Sequence, residues 1–194
     1  PEVMAARVHF TLMDGEFYNI DPGLVNSDTV SLMRTINNGN GSDTYLLPLI
    51  FPEGSPCHPS YPAGHATMAG AGVTVLKAFF DDNALMTSLR GGAFPIVESI
   101  TGTETMAQLE ANAIVDPLVT NQLTVGVELN KLASNIALGR DMAGVHYRSD
   151  GDQGLVLGEK VAIQYLKDVA ATYNEDFPGF TLTKFDGTPI TITP

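Results

Sequence analysis

Apolar residues recur at three- and four-residue spacing in four stretches of the chain, and that spacing predicts helices. In residues 1–13 the recurring positions are Val3, Ala6, Phe10 and Met13, and Pro1 suits a first turn. The second stretch, Gly64 to Phe80, carries Ala69, Val73, Leu76 and Phe80 on one face, with Ala66, Gly70 and Gly72 allowing neighbours close. A third helix is expected from about Val119 to Leu138, striped by Val125, Leu129, Leu132 and Ile136 and bounded by Gly139. The fourth is expected from about Gly151 to Tyr173, with Leu155, Gly158, Ala162, Tyr165 and Val169 facing inward.

Between these stretches the punctuation changes. The run Asn37-Asn38-Gly39-Asn40-Gly41-Ser42 reads as a loop. Pro52, Pro56, Pro59 and Pro62 forbid a regular helix, so that segment is expected to be extended and stiff. At the tail, Phe180 and Leu182, then Asp186-Gly187, then Ile190 and Ile192 signal a small β-hairpin, expected at the periphery. No repeat, low-complexity tract or interdomain linker breaks the pattern. The expectation is a mainly α-helical bundle with a small C-terminal β-hairpin, in one domain over residues 1–194.

With 44% hydrophobic residues in 194, a core can be buried. Ten Lys and Arg against 22 Asp and Glu give a net charge of -12, which repels a phosphate backbone and argues against nucleic acid as a partner. Any bound anion must therefore meet a local cationic pocket. Cys57 is the single cysteine, which rules out an internal disulfide and a thiolate metal site built from this chain alone, and its plain reading is structural. No apolar run approaches the ~18 residues that cross a bilayer, and no signal-peptide order opens the chain. A start at Pro1 without Met leads to the expectation of further residues upstream.

Two clusters could carry chemistry. In His58-Pro59-Ser60-Tyr61-Pro62-Ala63-Gly64-His65, Gly64 permits close backbone approach and the helix that follows aims its N-terminal amides at an anion. His65 is then placed to exchange protons with an oxyanion, although a His at a helix start is also a common cap. In the run from Gly139 to Asp150, Arg140 offers a planar fork of donors and His146 a neutral imidazole nitrogen. Asp150, four positions on, can orient the His146 ring if the segment is helical there. Read alone, that run is equally a solvated charged turn, with Arg148 and Asp150 as a loop ion pair. His9 and Tyr61 read as structural.

Together the clusters resemble the vanadium haloperoxidase and type 2 phosphatidic acid phosphatase superfamily, whose motifs are Lys-x6-Arg-Pro, Pro-Ser-Gly-His and Ser-Arg-x5-His-x3-Asp. Pro62-Ala63-Gly64-His65 is similar to the second motif with Ala in the Ser position. Gly139-Arg140 through His146 to Asp150 is similar to the third with Gly replacing Ser, both spacings kept. A His seven residues before the acid–base His, here His58, is the pattern of red-algal and cyanobacterial bromoperoxidases. Pro1-Glu2-Val3-Met4 looks like the residues that follow the Lys-x6-Arg of the first motif.

The resemblance implies a helical bundle of the haloperoxidase and acid phosphatase type, of which this chain is the C-terminal catalytic portion. It implies vanadate held at its apex by His146, the metal ligand, with Arg140, the Gly64 N–H and position Ala63 around its oxygens, and phosphate able to occupy the site in its absence. His65 would act as acid–base, His58 would tune halide selection and Asp150 would support His146. Hydrogen peroxide, bromide and small organic acceptors are the implied partners, and a homo-oligomer the implied assembly. The alternatives are a phosphatase of the same superfamily, or an inactive fragment or assembly subunit lacking the upstream Lys and Arg.

Overall fold

The computed structural model describes residues 1–50, 54–90 and 123–194. The first helix forms where the spacing predicts it, as α1 (Glu2–Met13), but it buries Ala5 and Val8 rather than the predicted stripe. A short turn, α2 (Pro22–Val25), begins at Asp21, whose carboxylate accepts from the Gly23 N–H at 2.6 Å. It leads into α3 (Asp28–Gly39), capped by the Ser27 hydroxyl.

Helix α3 runs into the segment read as a loop, because Asn37 does internal work that composition does not display. Buried in the last turn, its amide nitrogen donates to the carbonyls of Thr44 and Leu46, each at 2.9 Å, and so ties down the chain that follows. The turn itself comes at Gly41, with φ +83°. Arg34 grips Asp43 with two nitrogens, at 2.7 and 2.9 Å, and donates to the Tyr45 hydroxyl at 3.0 Å. His9, read as structural, lies beside the Thr44 hydroxyl at 3.1 Å.

The centre of the fold is three helices, α4 (Gly64–Phe79), α6 (Val125–Met142) and α7 (Arg148–Ala170), with the short α5 (Met86–Arg90) between the first two. The start expected for the third predicted helix, Val119, lies outside the described residues. Its expected end at Gly139 is overturned: α6 passes through that glycine, and the chain leaves the helix at Gly144, with φ +75°. An exposed glycine inside a helix costs only about 1 kcal/mol, whereas a left-handed exit strongly favours glycine. The fourth helix also starts earlier and ends earlier than expected.

The predicted faces are met in part: Val73 on α4 and Gly158 and Ala162 on α7 are buried, and Ala66 and Gly70 lie in the core as expected. Leu132 on α6 is 51% exposed and Tyr165 on α7 is 58% exposed, and Leu76 and Phe80 also face outward. Many of the residues the helices bury are small: Ala66 and Gly70 on α4, Gly126, Ala133 and Ala137 on α6, and Gly151, Gly154, Gly158 and Ala162 on α7. Small residues let the backbones themselves come into contact, so the larger apolar side chains are turned out of the three-helix centre. A Cβ on Gly154 would lie 2.8 Å from the Ala63 carbonyl oxygen, and one on Gly158 would lie 2.6 Å from the Ala71 nitrogen. Gly154→Ala is therefore expected to destabilise by about 1–3 kcal/mol through overpacking. Thermal unfolding checks it, and an unchanged melting temperature would show that α4 and α7 are not in main-chain contact.

The tail pairs as β1 (Phe180–Thr183) and β2 (Pro189–Ile192), antiparallel, with Phe180 opposite Ile192. The turn uses Gly187 at φ +81°. The hairpin is not peripheral, contrary to the sequence reading: Phe180, Leu182 and Ile192 form a buried cluster with Leu166 and Ala170 of α7. Period-two alternation identifies a strand but not what it packs against. Lys77 of α4, fully buried, fastens the hairpin by donating to the Thr183 carbonyl at 3.0 Å beneath the Phe185 ring. Among the described residues no helix is long and apolar enough to cross a membrane.

Candidate active site

Two irregular segments converge where α4 and α7 begin. The first, residues 54–63, contains no helix or strand, as its prolines predict. His58 Nδ1 lies 2.9 Å from the Pro59 carbonyl oxygen. A carbonyl only accepts, so Nδ1 is the donor in this contact. The segment ends at Ala63, whose N–H donates to the Asp150 carbonyl at 2.9 Å. One main-chain bond thus joins the two clusters that the sequence separates.

The second segment is the short connection from α6 to α7. Arg140 stands in the last turn of α6, half-buried. After the left-handed turn at Gly144 the chain dives inward, and Val145 and His146 are both buried, His146 to 7% exposure. Asp150 lies in the first turn of α7 at 3% exposure. Its Oδ2 accepts from the Tyr147 N–H at 2.9 Å and sits 3.5 Å from His146 Nδ1. That separation is at the outer limit of a hydrogen bond, but it turns Nδ1 toward the carboxylate and leaves Nε2 as the nitrogen available to a ligand.

A cavity of about 230 Å³ opens here, walled by Pro1, Glu2, Ser55, His58, Ser60 and His146 among others. Of the expected site residues, His58 and His146 meet in this wall, and Asp150 stands behind His146. Ala63 is fully buried, its methyl packed with Ala66 and Ala137. Gly64 and His65 are exposed in the first turn of α4, and neither they nor Arg140 line the cavity. Glu2 and Ser60 are wall residues that the motif reading did not single out. Ser60 could have been found, because it lies inside the His58–His65 run, and Glu2 lies in the Pro1–Met4 run likened to the residues after the first motif.

The electrostatics centre on Asp150. Burial alone would raise its pKa, but hydrogen bonding from the Tyr147 N–H, from Ser60 and from His146 outweighs it and holds the carboxyl below its ordinary value. A carboxylate with a depressed folded-state pKa stabilises the fold above its ordinary pKa of about 4, and that stability is lost as pH falls through the lower folded value. Asp150→Asn should then flatten the acid side of a melting-temperature profile, and an unaltered acid limb would show that these bonds do not favour the ionised form. Burial raises the pKa of Asp141 and of the Tyr147 phenol.

The family model described as the VCPO second helical-bundle domain matches residues 36–175. The chain belongs to the vanadium haloperoxidase family. It is 49% identical over 153 residues to a vanadium-dependent bromoperoxidase of Corallina pilulifera, a match covering 77% of this chain and 22% of that protein. A protein of the same name from Corallina officinalis is 48% identical over 149 residues, with the same coverage. A third, from Ascophyllum nodosum, is 38% identical over 183 residues, covering 91% of this chain and 30% of the relative. The chain therefore spans less than a third of the length of the curated relatives it matches.

The residues of this vanadium haloperoxidase chain fit an oxyanion that brings its own oxygen ligands and needs one protein donor. His146 supplies a buried imidazole with one nitrogen turned to a carboxylate. Among the described residues there is no group of three or more His, Cys, Asp or Glu that could cage a bare metal ion. Arg140, at the end of α6, is the cation nearest in sequence on the N-terminal side of His146.

Proposed function

We propose that residues 1–194 are the C-terminal catalytic part of a vanadium-dependent bromoperoxidase, which oxidises bromide with hydrogen peroxide and halogenates small organic acceptors. The observation that carries this reading is the meeting of His58 and His146 in one cavity wall, with Asp150 behind His146. When bound, vanadate supplies the Lewis acidity that activates hydrogen peroxide. The overall reaction would balance as bromide, hydrogen peroxide and one proton giving hypobromous acid and water.

The chain's own residues set up that chemistry. His146 would hold the oxyanion, with Asp150 fixing the ring from the Nδ1 side. Arg140 would balance negative charge, and the Gly64 N–H, free of an intrahelical partner in the first turn of α4, would be an additional donor. His65 would exchange the proton of hydrogen peroxide, and His58 would adjust the halide's surroundings. The expected homo-oligomer has support in the apolar residues left exposed on α6 and α7. The direct test is bromide-dependent peroxidase activity of the full-length protein with and without added orthovanadate; activity indifferent to vanadate would refute the reading.

Ala63→Ser is expected to tighten vanadate binding by about one to two powers of ten, the worth of a hydrogen bond to a charged acceptor. The position is also the N-cap of α4, which has no side-chain cap. A serine that merely capped the helix would raise stability by about 1 kcal/mol and leave affinity unchanged. Vanadate titration and thermal unfolding of the same variant separate these outcomes.

A further inference from the structure

Glu2 presents a puzzle, because a carboxylate in the wall of an oxyanion cavity has the wrong charge to bind the anion. Its bonding accounts for its presence. Glu2 Oε2 accepts from the Ser55 N–H at 3.1 Å, across 53 positions of sequence. Gly54, at φ +72°, brings the main chain so close that a Cβ there would lie 3.7 Å from both Glu2 oxygens. The carboxylate is thus spent on the segment that carries His58, and its place in the first turn of α1 favours its negative charge. Only Pro56 and Cys57 separate the anchored Ser55 from His58, and Pro56 fixes its own φ. On the far side, the His58 ring is tied to the Pro59 carbonyl.

We propose that Glu2 is a positioning residue that latches the 54–58 segment to α1 and thereby sets His58 on the cavity. This rests on the bromide-oxidising role proposed above. The latch is the accepting oxygen and not the charge, so glutamine serves where alanine does not. It also makes the N-terminal turn of α1 part of the halide-handling apparatus, though no atom of Glu2 need touch the halide.

The experiment uses the full-length enzyme with Glu2→Ala, Glu2→Gln, His58→Ala and the double variant Glu2→Ala/His58→Ala. Glu2→Ala should lower kcat/KM for bromide about ten- to a hundredfold, the usual cost of losing a supporting contact, and Glu2→Gln should restore it. In the double variant the Glu2 change should add nothing to the His58 change, since both act through one imidazole. In the vanadate-free protein, hydrogen exchange at the Ser55 amide should quicken in Glu2→Ala and not in Glu2→Gln. Additive losses in the double variant, equal losses in the two Glu2 variants, or unchanged Ser55 exchange would each overturn the latch. Failure of the wild-type enzyme to oxidise bromide would instead overturn the functional reading, and the exchange measurement would still decide whether the latch exists.

Discussion

Under the proposed function, His146→Ala in the full-length protein is expected to lose vanadate binding and bromide oxidation together, with turnover falling to the rate seen without cofactor. The side chain is 7% exposed, its Nδ1 faces Asp150 and the residue lines the cavity. No other described imidazole combines burial with a carboxylate partner, so no neighbour can take over the bond. Because Asp150 also accepts from the Tyr147 N–H, the start of α7 should persist in the variant, and far-UV circular dichroism should match the wild type. Equilibrium dialysis against orthovanadate checks the result, and retained binding would remove His146 from the role of ligand.

His65→Ala is expected to lower peroxide-dependent turnover by about 10²–10⁴, the range of a lost general acid–base, while vanadate still binds. His65 is exposed, two residues beyond the Ala63 N–H that bonds Asp150, so it stands at the junction of the clusters without lining the His146 cavity. An exposed imidazole is free to pass a proton to solvent, as an acid–base group must, and its removal leaves the buried packing of Ala63 and Ala66 untouched. A variant that retains the rate would show that another group moves the proton.

The positions of the helices were largely legible, because three- and four-residue spacing survives whichever side of a helix is buried. Their packing faces were legible only in part: Val73, Gly158 and Ala162 are buried as expected, whereas the α6 stripe is not. A leucine such as Leu132 raises the apolar score of a face that the three-helix centre leaves exposed, while Ala133 and Ala137 register weakly and do the packing. Gly139 misled because glycine marks both helix ends and close contacts, and only the backbone angle at Gly144 reveals the exit. Helix α3 was missed because its boundary depends on Asn37 reaching forward to Thr44 and Leu46.

The candidate site divides the same way. His58, His146 and Asp150 were singled out through the family resemblance, since each run read alone was equally structural. The bond made by Glu2 was not, because its partner is 53 positions away; the sequence placed Glu2 only in a run resembling the residues after the first motif. The hairpin's place in the core was hidden for a related reason: the buried Lys77 that holds it bonds to a carbonyl 106 positions on.

Contact between α4 and α7 through main chain at Gly154, Gly158 and the Ala63–Asp150 bond has a practical consequence for engineering. Backbone atoms are the same whatever side chains surround them, so the frame of the pocket is insulated from changes in its lining. Under the proposed function, a library aimed at altered halide or acceptor preference can vary positions 57, 59 and 61, provided Pro56, His58, Ser60, Ala66, Gly70, Gly154 and Gly158 are left alone. Selectivity and scaffold are then separate design problems, solved on different residues.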